Sequence, residues 1–156
     1  MRRDYFELEV SDTGWVDDGG DPAKPALRID FQGPSEELQS RLEGRDGLLE
    51  ASETDVSYRL RDPVDDPDAE GVLALTNRIT GEFVFELDQP AGPVLEFVRA
   101  ARTYGQSTDA DDGRFRVEIL VDGEPTVTYE KRTLLVYDAD GSLMRGESLI
   151  PSGVEL

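Results

Sequence analysis

The chain has 156 residues, the usual size of one domain and enough to bury roughly 70% of the surface its unfolded form would expose. Acidic residues outnumber basic ones 35 to 16, a net charge of −19, and only two of the basic residues, Lys24 and Lys131, are lysines. Cysteine and histidine do not occur, which excludes disulfide frameworks, thiolate nucleophiles, Ser-His-Asp and Cys-His catalysis, and zinc or haem sites built on those ligands.

In dilute buffer this charge loosens a fold by self-repulsion. At molar salt the Debye length falls to about 3 Å, and the carboxylates remain as hydrated surface groups. The acids are spread along the whole chain and Asp exceeds Glu, 19 to 16. That distribution reads as a surface adapted to strong salt, in preference to an acidic module for basic partners, which concentrates its charge in a tail. Apolar residues make up 37% of the chain but cluster in patterned runs, so the chain is expected to fold. No apolar run approaches the roughly 18 residues of a membrane span, and a cytoplasmic location is expected.

Phe6, Leu8 and Val10 alternate with Glu7 and Glu9 and predict a half-buried strand. The segment from Asp12 to Pro25 is turn-rich, with Trp15 its only large apolar side chain; it either pins the loop to the core or forms a ligand platform. Leu27, Ile29 and Phe31 predict a second strand. Gly33-Pro34-Ser35-Glu36-Glu37 then reads as a helix start with Ser35 as cap and Leu38 and Leu42 as the buried side. A third strand carries Val56, Tyr58 and Leu60 inward. After an acidic loop from Asp62 to Glu70, residues 72–77 and 83–87 predict a hairpin with Phe83, Phe85 and Leu87 facing in.

The clearest helix runs from Asp88 to Gly105. Val94, Leu95, Phe97, Val98, Ala101 and Tyr104 form its apolar stripe, with Glu96, Arg99, Arg102 and Thr103 opposite. Its length with the flanking loops serves an antiparallel return or a crossover to a parallel neighbour. Phe115, Val117, Ile119 and Val121 resume the alternation, and Asp122-Gly123 and Asp140-Gly141 mark turns, so residues 114–149 read as a three-strand meander. Val127 and Tyr129 share a parity that Lys131 occupies next, whereas Leu134 and Val136 take the other. This predicts a bulge or bend between Glu130 and Thr133.

Candidate chemistry is sparse. Asp66/Asp68, Asp109/Asp111 and Asp138/Asp140 have the spacing of hard-cation ligands, but at this Asp content about two such pairs arise by chance, and none extends to a full calcium loop. The three acidic loops (Asp62 to Glu70, Asp109 to Asp112, Asp138 to Asp140) are left open as cation sites, and no specific metal, cofactor or catalytic residue is assigned. A carboxylate pair at glycosidase separation is inevitable among so many acids and carries no weight. Arg59 and Arg61, with Arg114 and Arg116, could form an anion site if their strands were neighbours. The simpler reading makes them ion-pair partners of Glu7, Glu9, Asp30, Glu82, Glu86 and Glu118. Nucleic acid is disfavoured by the charge, no phosphate-binding glycine loop is present, and no membrane partner is expected.

The segments MRRDYFELEV, VLALTNRITGEFVFEL, VLEFVRAARTYG, YEKRTLLVYD and SLIPSGVEL give the chain, over most of its length, a resemblance to a small family of uncharacterised proteins of halophilic archaea. The resemblance implies halophilic origin and a cytoplasmic location, and no activity or functional residue.

The pattern predicts a single α+β domain over residues 1–156: one mainly antiparallel sheet of seven to eight strands with two helices packed on one face. The expected function is non-enzymatic, through a protein partner or homodimerisation, with the segment from Tyr129 to Tyr137 exposing Leu135, Tyr137 or an edge backbone. The alternative is an enzyme or small-ligand or divalent-ion binder using Asp, Arg and Tyr side chains in a pocket near Trp15.

Overall fold

A computed structural model gives the fold and describes residues 5–44, 47–107 and 114–150. The alternating runs form β1 (Phe6–Ser11), β2 (Ala26–Phe31), β5 (Thr54–Leu60), β6 (Glu70–Asn77), β7 (Phe83–Pro90), β8 (Phe115–Val121), β9 (Glu124–Lys131) and β10 (Leu134–Tyr137). The two-residue strands β3 (Glu43–Gly44) and β4 (Gly47–Leu48) pair only with each other. Helices are α1 (Trp15–Asp18), a single turn, α2 (Ser35–Leu42) and α3 (Ala91–Ser107), with 3₁₀ turns at Ala51–Glu53 and Arg145–Glu147.

The α+β class holds, but the single sheet does not. The strands make two four-stranded sheets, β1-β2-β8-β9 and β10-β5-β6-β7. Both are mixed: β2/β8 and β10/β5 are parallel, and the other pairings are antiparallel. Period-2 alternation reports that one face of a strand is buried; it does not say which sheet the strand joins. The chain changes sheets three times. From β2 in the first sheet it passes through α2 and the β3/β4 pair to β5 in the second. After β7, on the edge of the second sheet, α3 carries it to β8, which inserts beside β2 in the first. The expected bend lies at Arg132 and Thr133, where β9 ends in the first sheet and β10 begins in the second. The expected meander of residues 114–149 is therefore a β8/β9 hairpin plus a strand of the other sheet.

Both sheets turn their apolar rows into one core. Phe6 of β1 stacks on Phe85 of β7 with ring centroids 5.1 Å apart, and Phe97 of α3 meets Phe115 of β8 edge-on at 5.3 Å. Leu38 and Leu42 of α2 and Val94, Phe97, Val98 and Ala101 of α3 belong to the same cluster, so the two longer helices serve a core shared by both sheets and do not cover one face of a single sheet. The predicted stripe of α3 is the buried one, apart from Leu95 and Tyr104, which are half-buried. The helix starts three residues later than its pattern suggests, because the β6/β7 ladder continues to Pro90 opposite Glu70. At α2 the capping position is Pro34 and Ser35 is the first helical residue, so no side chain caps this end.

Phe83 is a further correction. It is 49% exposed, whereas Val84, Phe85 and Leu87 are buried. The register opposite β6 slips there: Leu75 faces Phe85 and Thr76 faces Phe83, leaving Val84 as an extra residue. A bulge of this kind reverses the side-chain parity of whatever precedes it.

Candidate functional site

With both inner faces in the core, the outer faces of the two sheets should be polar. The central row of the first sheet is so, running Glu9, Arg28, Glu118 and Thr128 across β1, β2, β8 and β9. In the second sheet two adjacent rows cross β10, β5, β6 and β7. One reads Tyr137, Arg59, Val72 and Asp88; the other reads Leu135, Ser57, Ala74 and Glu86. The centre of this face is apolar. Val72 and Ala74 are buried although they point outward, and they floor a groove of about 290 Å³ with Phe83 and Tyr137 as walls and Arg59 and Glu86 as its charged residues.

The hairpin beyond the groove adds to this surface. The Asn77 side chain accepts hydrogen bonds from the amides of Ile79 and Thr80 at 2.9 and 3.3 Å, and Gly81 takes a left-handed φ of 77°. This turn holds Ile79 at the tip, 71% exposed.

The expectation for Tyr129 to Tyr137 is met only in part. Tyr129 is buried. The free edge of β10 is closed by the chain itself, since Leu134 and Leu149 exchange backbone hydrogen bonds of 3.0 and 2.9 Å, Met144 donates to Val136 and Asp138 to Ser142. The Ser148 hydroxyl also accepts from the Val136 amide at 2.8 Å. Leu135 and Tyr137 remain half-buried on the outer face.

The arginine pairs are not brought together, because β5 and β8 lie in different sheets. Arg61 pairs with Asp88 at 2.6 Å and Arg116 with Glu130 at 2.8 Å, so ion pairing holds but with other partners than those expected from strand parity. Arg59 has no ion pair among the described residues. Beside Trp15, a cleft of about 310 Å³ lies between residues 13–17 and α3, with Asp17, Glu96, Arg99 and Arg102 in its walls. Among the described residues no tyrosine lines it, and neither does Trp15, whose indole N–H donates to the Asp12 carbonyl at 2.6 Å. That hydrogen bond lies within the loop, and Trp15 is not among the residues packed against the core cluster.

The aspartate pairs act within turns. Asp66 accepts from the Asp68 amide, and Asp138 from the amides of Asp140 and Ser142, each at 2.9 Å. Among the described residues no three carboxylates converge as a metal site; Asp109, Asp111 and Asp112 lie outside the described residues.

The perturbed titratable groups are structural. Burial pushes the Tyr129 hydroxyl up to about 12, with a smaller contribution from Glu53, and that hydroxyl has no hydrogen-bond partner among the described residues. Burial also raises Tyr58, whose hydroxyl donates to the Gln89 carbonyl at 2.7 Å. This close approach requires Gly71, because a Cβ there would stand 2.5 Å from the phenol. Burial acts to raise Glu130, but hydrogen bonds from Arg116 and Lys24 outweigh it and hold the carboxyl below its ordinary value.

The fold and this surface define a two-sheet α+β protein with a shallow apolar groove on one outer face. No helix among the described residues is long and apolar enough to cross a membrane. The chain belongs to the Family of unknown function (DUF5793), which it matches over residues 1–156. Comparison with curated proteins and with solved structures gives no match.

Proposed function

We propose that this is a salt-adapted cytoplasmic protein of halophilic archaea that acts without catalysis, by self-association through the outer face of the second sheet. The observation that carries this reading is the apolar centre of that face, with Val72 and Ala74 as floor and Phe83 exposed beside them, where a solvent-facing sheet should be polar. The charges favour a second copy as the occupant. Arg59 on β5 and Glu86 on β7 flank the apolar floor of β6 from opposite sides, one row apart. A two-fold axis along β6 places the Arg59 side of one copy over the Glu86 side of the other, the self-complementarity that an isologous dimer needs. Salt adaptation is supported by the charge of −19, which opposes association until ionic strength screens it.

Light scattering coupled to size exclusion tests both parts. In molar KCl the protein should run as two chains of 17.3 kDa each. Phe83→Asp should run as a folded monomer, and dilution of the salt should dissociate the wild-type dimer before it unfolds. A wild-type protein that stays monomeric in molar KCl overturns the self-association reading. Equal stability from millimolar to molar salt overturns salt adaptation.

A further inference from the structure

We propose that the cleft at the C-terminal end of α3 binds a compact multivalent oxyanion, with the guanidiniums of Arg102 and Arg114 as its main ligands. The cleft has a volume of about 520 Å³ and lies between the last turns of α3, the start of β8 and the 3₁₀ turn Arg145–Glu147. Among the described residues it shares no lining residue with the groove on the second sheet. In a chain where acids exceed bases 35 to 16, the charged residues that line it among the described residues are all arginines, namely Arg102, Arg114 and Arg145.

The donors are positioned and incompletely used. Arg102 gives Nη2 to the carbonyls of Gly146 at 3.2 Å and Ser148 at 2.8 Å, which fixes the plane of its fork. A guanidinium carries five N–H donors, so those on Nε and Nη1 remain for a ligand. Arg114 is half-buried and makes no side-chain hydrogen bond or ion pair with any described residue. Its side chain lies across Gly105, where a Cβ would stand 2.6 Å from Nε and 2.7 Å from Cδ. Glycine is a poor helix former, and here its missing side chain is the space that Arg114 occupies.

Arg61, Arg78 and Arg116 each rest on a carboxylate, whereas Arg114 meets none among the described residues. A half-buried guanidinium gains from a counter-charge, which an external anion in the cleft supplies. Planar forks prefer two oxygens at once, which selects phosphoryl or carboxylate groups over the spherical chloride of a salt-rich solution.

The test is an NMR titration of the ¹⁵N-labelled full chain in molar KCl at constant ionic strength, with inorganic phosphate, pyrophosphate and citrate as separate probes. Saturable shifts are expected at the Gly105 and Gly146 amides and the Arg114 Nε–Hε signal, with a dissociation constant on the order of millimolar or tighter. Arg114→Gln should weaken binding about tenfold or more, and Arg114→Lys, which keeps the charge but not the fork, should also weaken it. Arg28→Gln, on the outer face of the first sheet, should leave it unchanged. Preference for phosphate and pyrophosphate assigns a phosphoryl ligand, and preference for citrate a carboxylate one. Absence of saturation with all three probes overturns the proposal, as does equal affinity in wild type and a folded Arg114→Gln protein.

Discussion

Lys131 is the most informative residue to perturb. It is the last residue of β9, only 8% exposed, and its Nζ donates to the carbonyls of Ala51 and Thr54, each at 2.7 Å. It thus ties the first sheet to the turn that opens β5 in the second. Lys131→Met keeps the length of the side chain and removes the donors. The Thr54 carbonyl then loses a buried hydrogen bond at about 1–3 kcal/mol and the part-buried Ala51 carbonyl, which still accepts from the Thr54 hydroxyl and amide, loses about 1 kcal/mol, while relief of the desolvated ammonium and the added thioether packing return roughly 1–2 kcal/mol. The net loss is about 1–2 kcal/mol, which for a chain of this size lowers Tm by roughly 2–8 °C. Thermal unfolding followed by circular dichroism in matched molar KCl measures it, and a variant melting within about 2 °C of wild type refutes the tether.

The pH dependence supplies an independent check. Burial depresses the Lys131 ammonium below the ordinary 10.5, with Asp55 opposing and Arg78 adding to the effect. The folded state releases this proton before the unfolded state does. Between the folded value and 10.5 the unfolded chain holds more protons, so the Lys131 contribution to stability grows as pH rises through that window. A neutral amine still has two N–H groups for the two carbonyls. The stability gap between wild type and Lys131→Met should therefore widen with pH; a gap that narrows would mean that the charge, and not the pair of hydrogen bonds, holds the sheets together.

Val98→Asp should prevent folding, since it places a carboxylate in the shared core, whereas Arg99→Ala on the exposed side of α3 should change stability by less than about 0.5 kcal/mol; denaturant titration reads both. Tyr129→Phe should raise stability by roughly 1 kcal/mol, because it removes a buried hydroxyl that has no partner among the described residues, and a loss in urea titration would reveal a partner. The same variant should blunt alkaline unfolding. With the folded value raised to about 12, the contribution of Tyr129 is intact below pH 10 and is lost as pH rises from there toward about 12, by up to about 1.4 kcal/mol per pH unit.

Much of the fold was legible because parity is a direct imprint of burial. The rows Leu27, Ile29, Phe31 and Val56, Tyr58, Leu60 are buried as expected, and the parity change near Lys131 located the bend. Phe83 was misassigned because a bulge is invisible to a period-2 count, although the adjacent Val84 and Phe85 in FVFEL are a trace of it. The groove also left a trace. Residues 71–75 read GVLAL with no polar residue at alternate positions, the pattern of a strand covered on both faces, and the outer pair Val72 and Ala74 is the groove floor. The arginine cleft left none. Arg102, Arg114 and Arg145 lie far apart in sequence, and only the docking of the 3₁₀ turn onto α3 brings them together.

The three changes of sheet interleave the two sheets along the sequence. The strands that arrive after the second and third changes, β8 and β10, pair in parallel with β2 and β5, which stand much earlier in the chain. Neither sheet can be completed from a contiguous half of the sequence, so neither half is a domain, and such long-range pairing favours slow, cooperative folding. The second and third changes are also held by a basic residue bonded to backbone carbonyls: Arg102 on α3, the segment that makes the second, and Lys131 just before the third. The groove has the same dependence on closure. Its floor belongs to β6, but its Tyr137 wall comes from β10, the last strand to be placed. A dimer formed through that face can therefore assemble only from chains that have completed both sheets.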